Sequence, residues 1–122
     1  MNQQLSNAIE ELVVFIDKSK SLNVESRALL EAMTSRDDDE FISIVLSHLS
    51  IVADKYKRAC NIKEEYGDYI IKYKSLIDGM GEDIIKVTRD TSIGIDVMVR
   101  TIGDTLKKLI ELNRRLKWIY LK

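Results

Sequence analysis

Mostly apolar residues in this chain recur in alternating steps of three and four, and this spacing constrains the fold more than any other feature. Because residues three and four apart share one face of an α-helix, the spacing predicts helices with a single buried stripe. The first series predicts a helix over about residues 3–34, with Ile9, Ile16 and Leu30 widening one flank of the stripe. Its members are Leu5, Ala8, Leu12, Phe15, Ser19, Leu22, Ser26, Leu29 and Met33.

Two further series predict two more helices, over about residues 38–78 and 82–122. The sequence contains no proline, so nothing in it forbids helices of this length. The members of the second series are Phe41, Val45, His48, Val52, Lys55, Ala59, Ile62, Tyr66, Tyr69, Tyr73 and Leu76. The members of the third series are Ile95, Val99, Ile102, Leu106, Leu109, Asn113, Leu116 and Tyr120.

Short polar segments mark the ends of these helices. Carboxylates in residues 37–40 suit the first turn of the second helix, and the glycines at 79 and 81 suit the turn before the third. Gly67 falls inside the second series and could break it. The phase of the stripe continues across Gly67, so we expect one helix there, with a break into two helices as the alternative.

Three long amphipathic helices joined by short turns predict an all-α fold. Each helix must bury its stripe, and short turns make successive helices antiparallel. We therefore predict one domain over residues 1–122, an elongated up-down-up three-helix bundle that resembles a coiled coil. A bundle that becomes four-helical by a break at Gly67, or a hairpin completed by a second chain, is the alternative. Because a slender bundle has much surface for its volume, self-association is also expected.

The N-terminal segment and the cysteine content indicate a cytoplasmic protein. No basic residues precede the first apolar run, which extends only from Leu12 to Ile16, so neither a signal peptide nor a membrane span is expected. Cys60 is the only cysteine, so the chain cannot form an internal disulfide.

The residue types that carry chemistry are sparse. His48 and Cys60 are the only residues of their kinds, and twelve helical residues would separate them by about 18 Å, too far for a nucleophile and its base. One histidine cannot supply the paired ligands of a di-iron bundle or a zinc site. We predict that the protein is not an enzyme and has no metal, cofactor or small-molecule substrate.

Basic residues gather toward the C-terminus although the net charge of the chain is only −1. We call them the basic strip: Arg100, Lys107, Lys108, Arg114, Arg115 and Lys117. The strip is consistent with a solvated face that pairs with acidic partners, with contacts to nucleic-acid phosphates, or with a membrane surface. The first of these is preferred because the chain as a whole is weakly acidic.

The last turn of the third helix contains the residues that we expect to contact a partner. We call them the helix-end cluster: Trp118, Ile119, Tyr120 and Leu121. Four consecutive residues cover every face of a helix, so they cannot all be buried within one bundle. Asn113 is a polar member of the third series, a position that selects register and partner number in coiled coils.

These features together predict a non-enzymatic helical interaction protein, such as an adaptor, a chaperone-like protein or an accessory partner. It would dock a helical protein partner through its apolar seams and the helix-end cluster. The alternative is a small nucleic-acid-binding accessory protein that uses the basic strip.

Overall fold

The computed structural model describes the backbone of residues 3–34 and 38–120, and the side chains of residues 3–29, 31, 43 and 47–115. Almost every residue in these ranges is helical, and none of them lies in a β-strand. Four helices follow one another: α1 (Gln3–Thr34), α2 (Asp38–Lys72), α3 (Lys74–Asp78) and α4 (Glu82–Tyr120). The prediction of an all-α fold is therefore confirmed.

The helix bounds agree with the sequence prediction except at one break. Helix α1 matches the predicted range, and α4 begins at residue 82, as expected. The second predicted helix ends early, at Lys72, because Tyr73 leaves the helical conformation with φ −109° and ψ 14°. The backbone is helical through Gly67. The alternative break at Gly67 is therefore wrong, and a break at Tyr73 takes its place.

Contacts of the Tyr73 side chain accompany this break. Its ring centroid lies 5.2 Å from that of Tyr69, and its hydroxyl donates a hydrogen bond to Glu11 at 3.3 Å. The helical pattern then resumes, since the N–H of Ile77 donates to the carbonyl of Tyr73 at 2.8 Å. Ile77 is buried and Leu76 only half-buried, so the break moves the buried position one residue beyond the predicted one.

The buried stripe of α1 follows the predicted series closely. Leu5 and Leu29, at its two ends, are half-buried, and the side chain of Met33 lies outside the described residues. Every member between these ends is buried: Ala8, Leu12, Phe15, Ser19, Leu22 and Ser26. Ser26 tolerates burial because its hydroxyl donates a hydrogen bond to the carbonyl of Leu22 at 2.8 Å.

The stripe of α2 is confirmed from Val52 to Tyr73, whereas His48 is only half-buried. Val52, Ala59, Ile62, Tyr66, Tyr69 and Tyr73 are buried. Lys55 lies in the same stripe, but its ammonium reaches the carboxylate of Glu25 on α1 and its side chain is only 13% exposed. The predicted acidic start of α2 and the stripe members Phe41 and Val45 lie outside the described side chains.

The stripe of α4 differs from the predicted series. The prediction is correct for Ile95, Ile102 and Leu109, but Val99, Leu106 and Asn113 are half-buried. The buried residues are Thr88, Thr91, Ile95, Met98, Ile102, Thr105 and Leu109. The threonines can occupy the core because each hydroxyl donates to the carbonyl four residues earlier in the helix. These bonds permit the observed stripe to include threonines, although the predicted series is more apolar.

An aromatic cluster, formed by Phe15, Tyr66, Tyr69 and Tyr73, joins the helices near one end. The ring of Phe15 packs edge-on against Tyr66 and Tyr69, with centroids 5.2 Å and 5.6 Å away. The hydroxyl of Tyr66 donates to the carbonyl of Thr88, and that of Tyr69 to the carbonyl of Ala8. Burial raises the pKa of both hydroxyls above the ordinary range, so both stay protonated donors.

These contacts also set the directions of the helices. Ala8, early in α1, contacts Tyr69, late in α2, while Glu25 contacts Lys55, so α1 and α2 run in opposite directions. Tyr66 contacts Thr88 near the start of α4, and α2 and α4 therefore also run oppositely. Charged residues recur along the helices, and no described segment has the apolar length of a bilayer span.

Candidate partner-binding surface

Ion pairs bridge the surface where α1 meets α2. Lys18 lies 3.7 Å from Glu65, and Glu11 lies 3.7 Å from Lys72. A third pair joins Glu25 to Lys55, and the hydrogen bond from Lys55 holds the pKa of the Glu25 carboxyl below its ordinary value. These pairs occupy one flank of α1, at steps of seven residues. A partner helix at this boundary would have to displace them.

An ion pair and a close ring contact occupy the boundary between α2 and α4. Lys63 lies 3.4 Å from Asp96. The ring of Tyr56 covers Gly103 so closely that a Cβ at residue 103 would stand 3.0 Å from Cε2 of the ring. This side of α4 is therefore committed to contacts within the chain.

The third boundary, between α1 and α4, has a different character. Since Glu11, Lys18 and Glu25 face α2, helical geometry places the opposite flank of α1, with Ile9, Val13 and Ile16, toward α4. No ion pair joins α1 to α4 among the side chains that the structure describes.

Small and apolar residues of α4 line the other side of this boundary. A Cβ at Gly94 would stand 3.9 Å from the hydroxyl of Ser19, so the flank of α4 that includes Gly94 faces α1. Helical spacing places Val87 and Val97 on the same flank. We call this surface the α1–α4 groove and define it by Ile9, Val13, Ile16, Val87, Gly94 and Val97.

Apolar side chains in the α1–α4 groove remain exposed after the core is filled. The exposed fractions are 37% for Ile9, 49% for Val13, 39% for Val87 and 46% for Val97. A single exposed apolar residue is ordinary, but a row of them on two adjoining helices is typical of an interaction surface. With no ion pair crossing it, the groove could accept an apolar helix face without the loss of internal contacts.

Two open depressions lie at the other boundaries. One, of about 440 Å³ between α1 and α2, has Leu22 and Ile62 among its lining residues, together with Asp17, Lys18, Arg58 and Glu65. The other, of about 380 Å³ between α2 and α4, forms beside Gly67, which has no neighbouring atom within 4 Å of its Cβ position. Charges of both signs line each depression, so neither has the one-sided charge that would select an anion or a cation.

The groups with catalytic potential are not assembled. Helix α2 is continuous from residue 38 to residue 72, which places His48 and Cys60 about 18 Å apart along its axis. The Cys60 thiol, one helical turn from Tyr56, raises the pKa of the Tyr56 hydroxyl. The Nδ1 atom of His48 is buried and bonds to no described residue. No group of three or more His, Cys, Asp or Glu residues suited to a metal ion occurs in the described ranges.

The structure leaves most of the sequence-predicted contact residues untested. The backbone of residues 118–120 belongs to α4, but the side chains of the helix-end cluster lie outside the described residues, as does all of Leu121. Asn113 is half-buried beside the stripe of α4, whereas the half-buried Leu112 continues the observed stripe. In the basic strip, Arg100, Lys107, Lys108, Arg114 and Arg115 are exposed, and the side chain of Lys117 is outside the described residues.

The α1–α4 groove was not identified as a site by the sequence analysis. Ile9 and Ile16 widen the first stripe on one flank, and this extra apolar width was the sequence signal for the groove. The sequence does not show which helix lies beside that flank, because this depends on how the helices are paired. No family model, no curated protein and no solved structure matches this chain, so the groove and the exposed charges are the observations that bear on function.

Proposed function

We propose that this chain is a non-enzymatic helical interaction protein whose α1–α4 groove accepts the apolar face of a helix. The observation that carries the proposal is the row of exposed apolar side chains, Ile9, Val13, Val87 and Val97, along the one boundary that no described ion pair bridges. Helix-in-groove recognition places the apolar face of an amphipathic helix against an apolar surface of this kind.

The wider architecture proposed here is an up-down-up bundle of α1, α2 and α4, with α3 continuing α2 beyond the break at Tyr73. The opposed directions of α1 and α2, and of α2 and α4, support this arrangement. An adaptor or chaperone-like role in the cytoplasm fits such a bundle. The helix-end cluster would extend the contact surface beyond the groove.

A display library of amphipathic helical peptides tests the groove directly. The wild-type chain is used to select binders, which are then measured against two groove variants, Val13→Glu and Val97→Glu, one on each side of the groove. A charge buried against an apolar helix face lacks a partner, so we expect each variant to weaken binding by at least about tenfold. Circular dichroism at 222 nm verifies that helicity is retained.

Ile71→Glu is the matched control. Ile71 is 77% exposed on α2, outside the groove, and the same substitution there should leave binding unchanged. Failure to select any helix, or equal binding by all three variants, would contradict the proposal. Loss of binding only in a Trp118→Ala/Tyr120→Ala variant would move the contact to the helix-end cluster and also contradict the groove assignment.

The exposed basic residues of α4 favour a second candidate function, that of a nucleic-acid-binding accessory protein. Arg100, Lys107, Lys108 and Arg114 are exposed, while Arg115 pairs with Glu111 at 2.8 Å. Phosphate contacts would make the logarithm of affinity fall steeply with the logarithm of salt concentration. Titration of labelled DNA and RNA at low salt decides this candidate, since the absence of binding there excludes it.

A further inference from the structure

We propose that the occupant of the α1–α4 groove is the same groove of a second copy of this chain, placed antiparallel by a two-fold axis perpendicular to the helices. The inference rests on the proposed function of the groove and names its partner. A two-fold axis makes such an interface self-complementary, so that one surface serves both copies.

The accessible surface of the single chain is the first argument. The chain exposes 8390 Å². A compact monomer of 14.1 kDa is expected to expose about 6,700 Å². The excess, about 1,700 Å², is roughly twice the area that each partner buries in a protein interface of standard size. This total covers the whole chain and is raised by the slender form of a helix bundle, so it permits a second copy, while the apolar residues and the charges locate the contact.

The position of the uncovered apolar residues is the second argument. The exposed Ile9 and Val13 lie on one flank of α1, beside the half-buried Ile16. Helical spacing places the exposed Val87 and Val97 on the adjoining flank of α4. Pairing two grooves brings two such rows together and removes both from water. The remaining boundaries hold ion pairs that a second copy would have to break.

The distribution of charge along the groove is the third argument, and it selects the antiparallel orientation. On α4, Asp83 and Asp90 outnumber Lys86 at the end near Ile9. Toward the other end the same face carries three basic residues and two acidic ones: Lys20, Arg27, Lys108, Glu31 and Asp104. Antiparallel pairing superimposes the acidic end of one groove on the basic end of the next. Parallel pairing would place like charges together.

Lys20 and Asp83 are the pair most directly tested by this arrangement. Both are exposed, and neither forms an ion pair with a described side chain of its own copy. Within one chain, Ser19 of α1 lies level with Gly94 of α4, so Asp83 lies level with the start of α1. A two-fold axis that passes near Val13 then brings Lys20 of one copy about level with Asp83 of the other.

Sedimentation velocity from about 1 µM to about 500 µM measures the association. We expect a dimer whose dissociation constant rises at least about tenfold in Val13→Glu and is unchanged in Ile71→Glu. Lys20→Glu and Asp83→Lys should each weaken the dimer by about threefold to tenfold. The double variant Lys20→Glu/Asp83→Lys should recover wild-type affinity, because the exchanged charges again oppose each other.

A monomer throughout this range, a dimer insensitive to Val13→Glu, or charge variants that the double exchange does not rescue would each overturn the inference. The first of these outcomes leaves the proposed function intact if the groove variants still lose the display-selected helices. A dimer with the expected sensitivities but without any selected helix would instead overturn the broader helix-docking function. The two proposals therefore fail under different results.

Discussion

Two glycines inside helices allow the same substitution to be tested in opposite surroundings. Gly67 and Gly103 both lie within long helices, where replacement of glycine by alanine favours the folded state by about 0.5–1 kcal/mol through the backbone. At Gly67 a new Cβ has no atom within 4 Å. We expect Gly67→Ala to raise the free energy of unfolding by the full backbone contribution.

At Gly103 the same Cβ would stand 3.0 Å from the ring of Tyr56, tighter than nine in ten carbon contacts of this kind. The ring must move by a few tenths of an ångström, and it is half-buried. Overpacking of this kind costs about 1–3 kcal/mol, which exceeds the backbone gain. Gly103→Ala should therefore be less stable than Gly67→Ala by about 1–3 kcal/mol.

Urea denaturation followed by circular dichroism at 222 nm measures both variants. Tyr56→Ala completes a double-mutant cycle, because Gly103→Ala in that background has no ring to displace and should regain the backbone contribution. Equal stabilisation by the two alanine substitutions would refute the close approach of Tyr56 to Gly103. A cycle without coupling between residues 56 and 103 would refute it as well.

Further predictions concern the aromatic cluster and the half-buried ion pair. Tyr69→Phe removes the donor to the carbonyl of Ala8 and should lower the free energy of unfolding by about 0.5–1.5 kcal/mol, measured by urea denaturation. Tyr73→Phe is the control, because the Tyr73 hydroxyl bonds to a carboxylate that solvent also reaches. An equal or smaller effect for Tyr69→Phe than for Tyr73→Phe would contradict this prediction. Lys55 lowers the pKa of the Glu25 carboxyl in the folded protein. The ion pair therefore contributes its full stability at pH values above the ordinary carboxyl pKa. This stability is lost as the pH falls through the lowered pKa of Glu25. The wild type should thus lose more stability than Glu25→Gln between about pH 5 and about pH 3, and parallel pH profiles would contradict this.

Much of the helical architecture was predictable because it depends on local spacing. A helix turns by a constant angle per residue, so steps of three and four identify a buried face without knowledge of its partner. The stripe of α1 from Ala8 to Ser26 and that of α2 from Val52 to Tyr73 follow from this rule. The start of α4 after the two glycines depends on equally local preferences.

The break at Tyr73 and the stripe of α4 required tertiary contacts. Tyr73 is a member of the predicted series, and nothing local shows that its hydroxyl will bond to Glu11 on α1. In α4, Thr105 and Leu106 are adjacent, and spacing alone favours the apolar one. Thr105 is buried instead, and the bond from its hydroxyl to the carbonyl of Thr101 removes the cost of burying it.

The candidate surface shows the same division. The sequence alone determined that α1 carries more apolar residues than one stripe needs, since Ile9 and Val13 lie beside a series that is already complete. Only the tertiary structure decided that these residues face α4 and stay exposed, while the opposite flank forms ion pairs with α2. The physical reason is that helical periodicity assigns a residue to a face of its own helix, whereas exposure depends on which other helix covers that face.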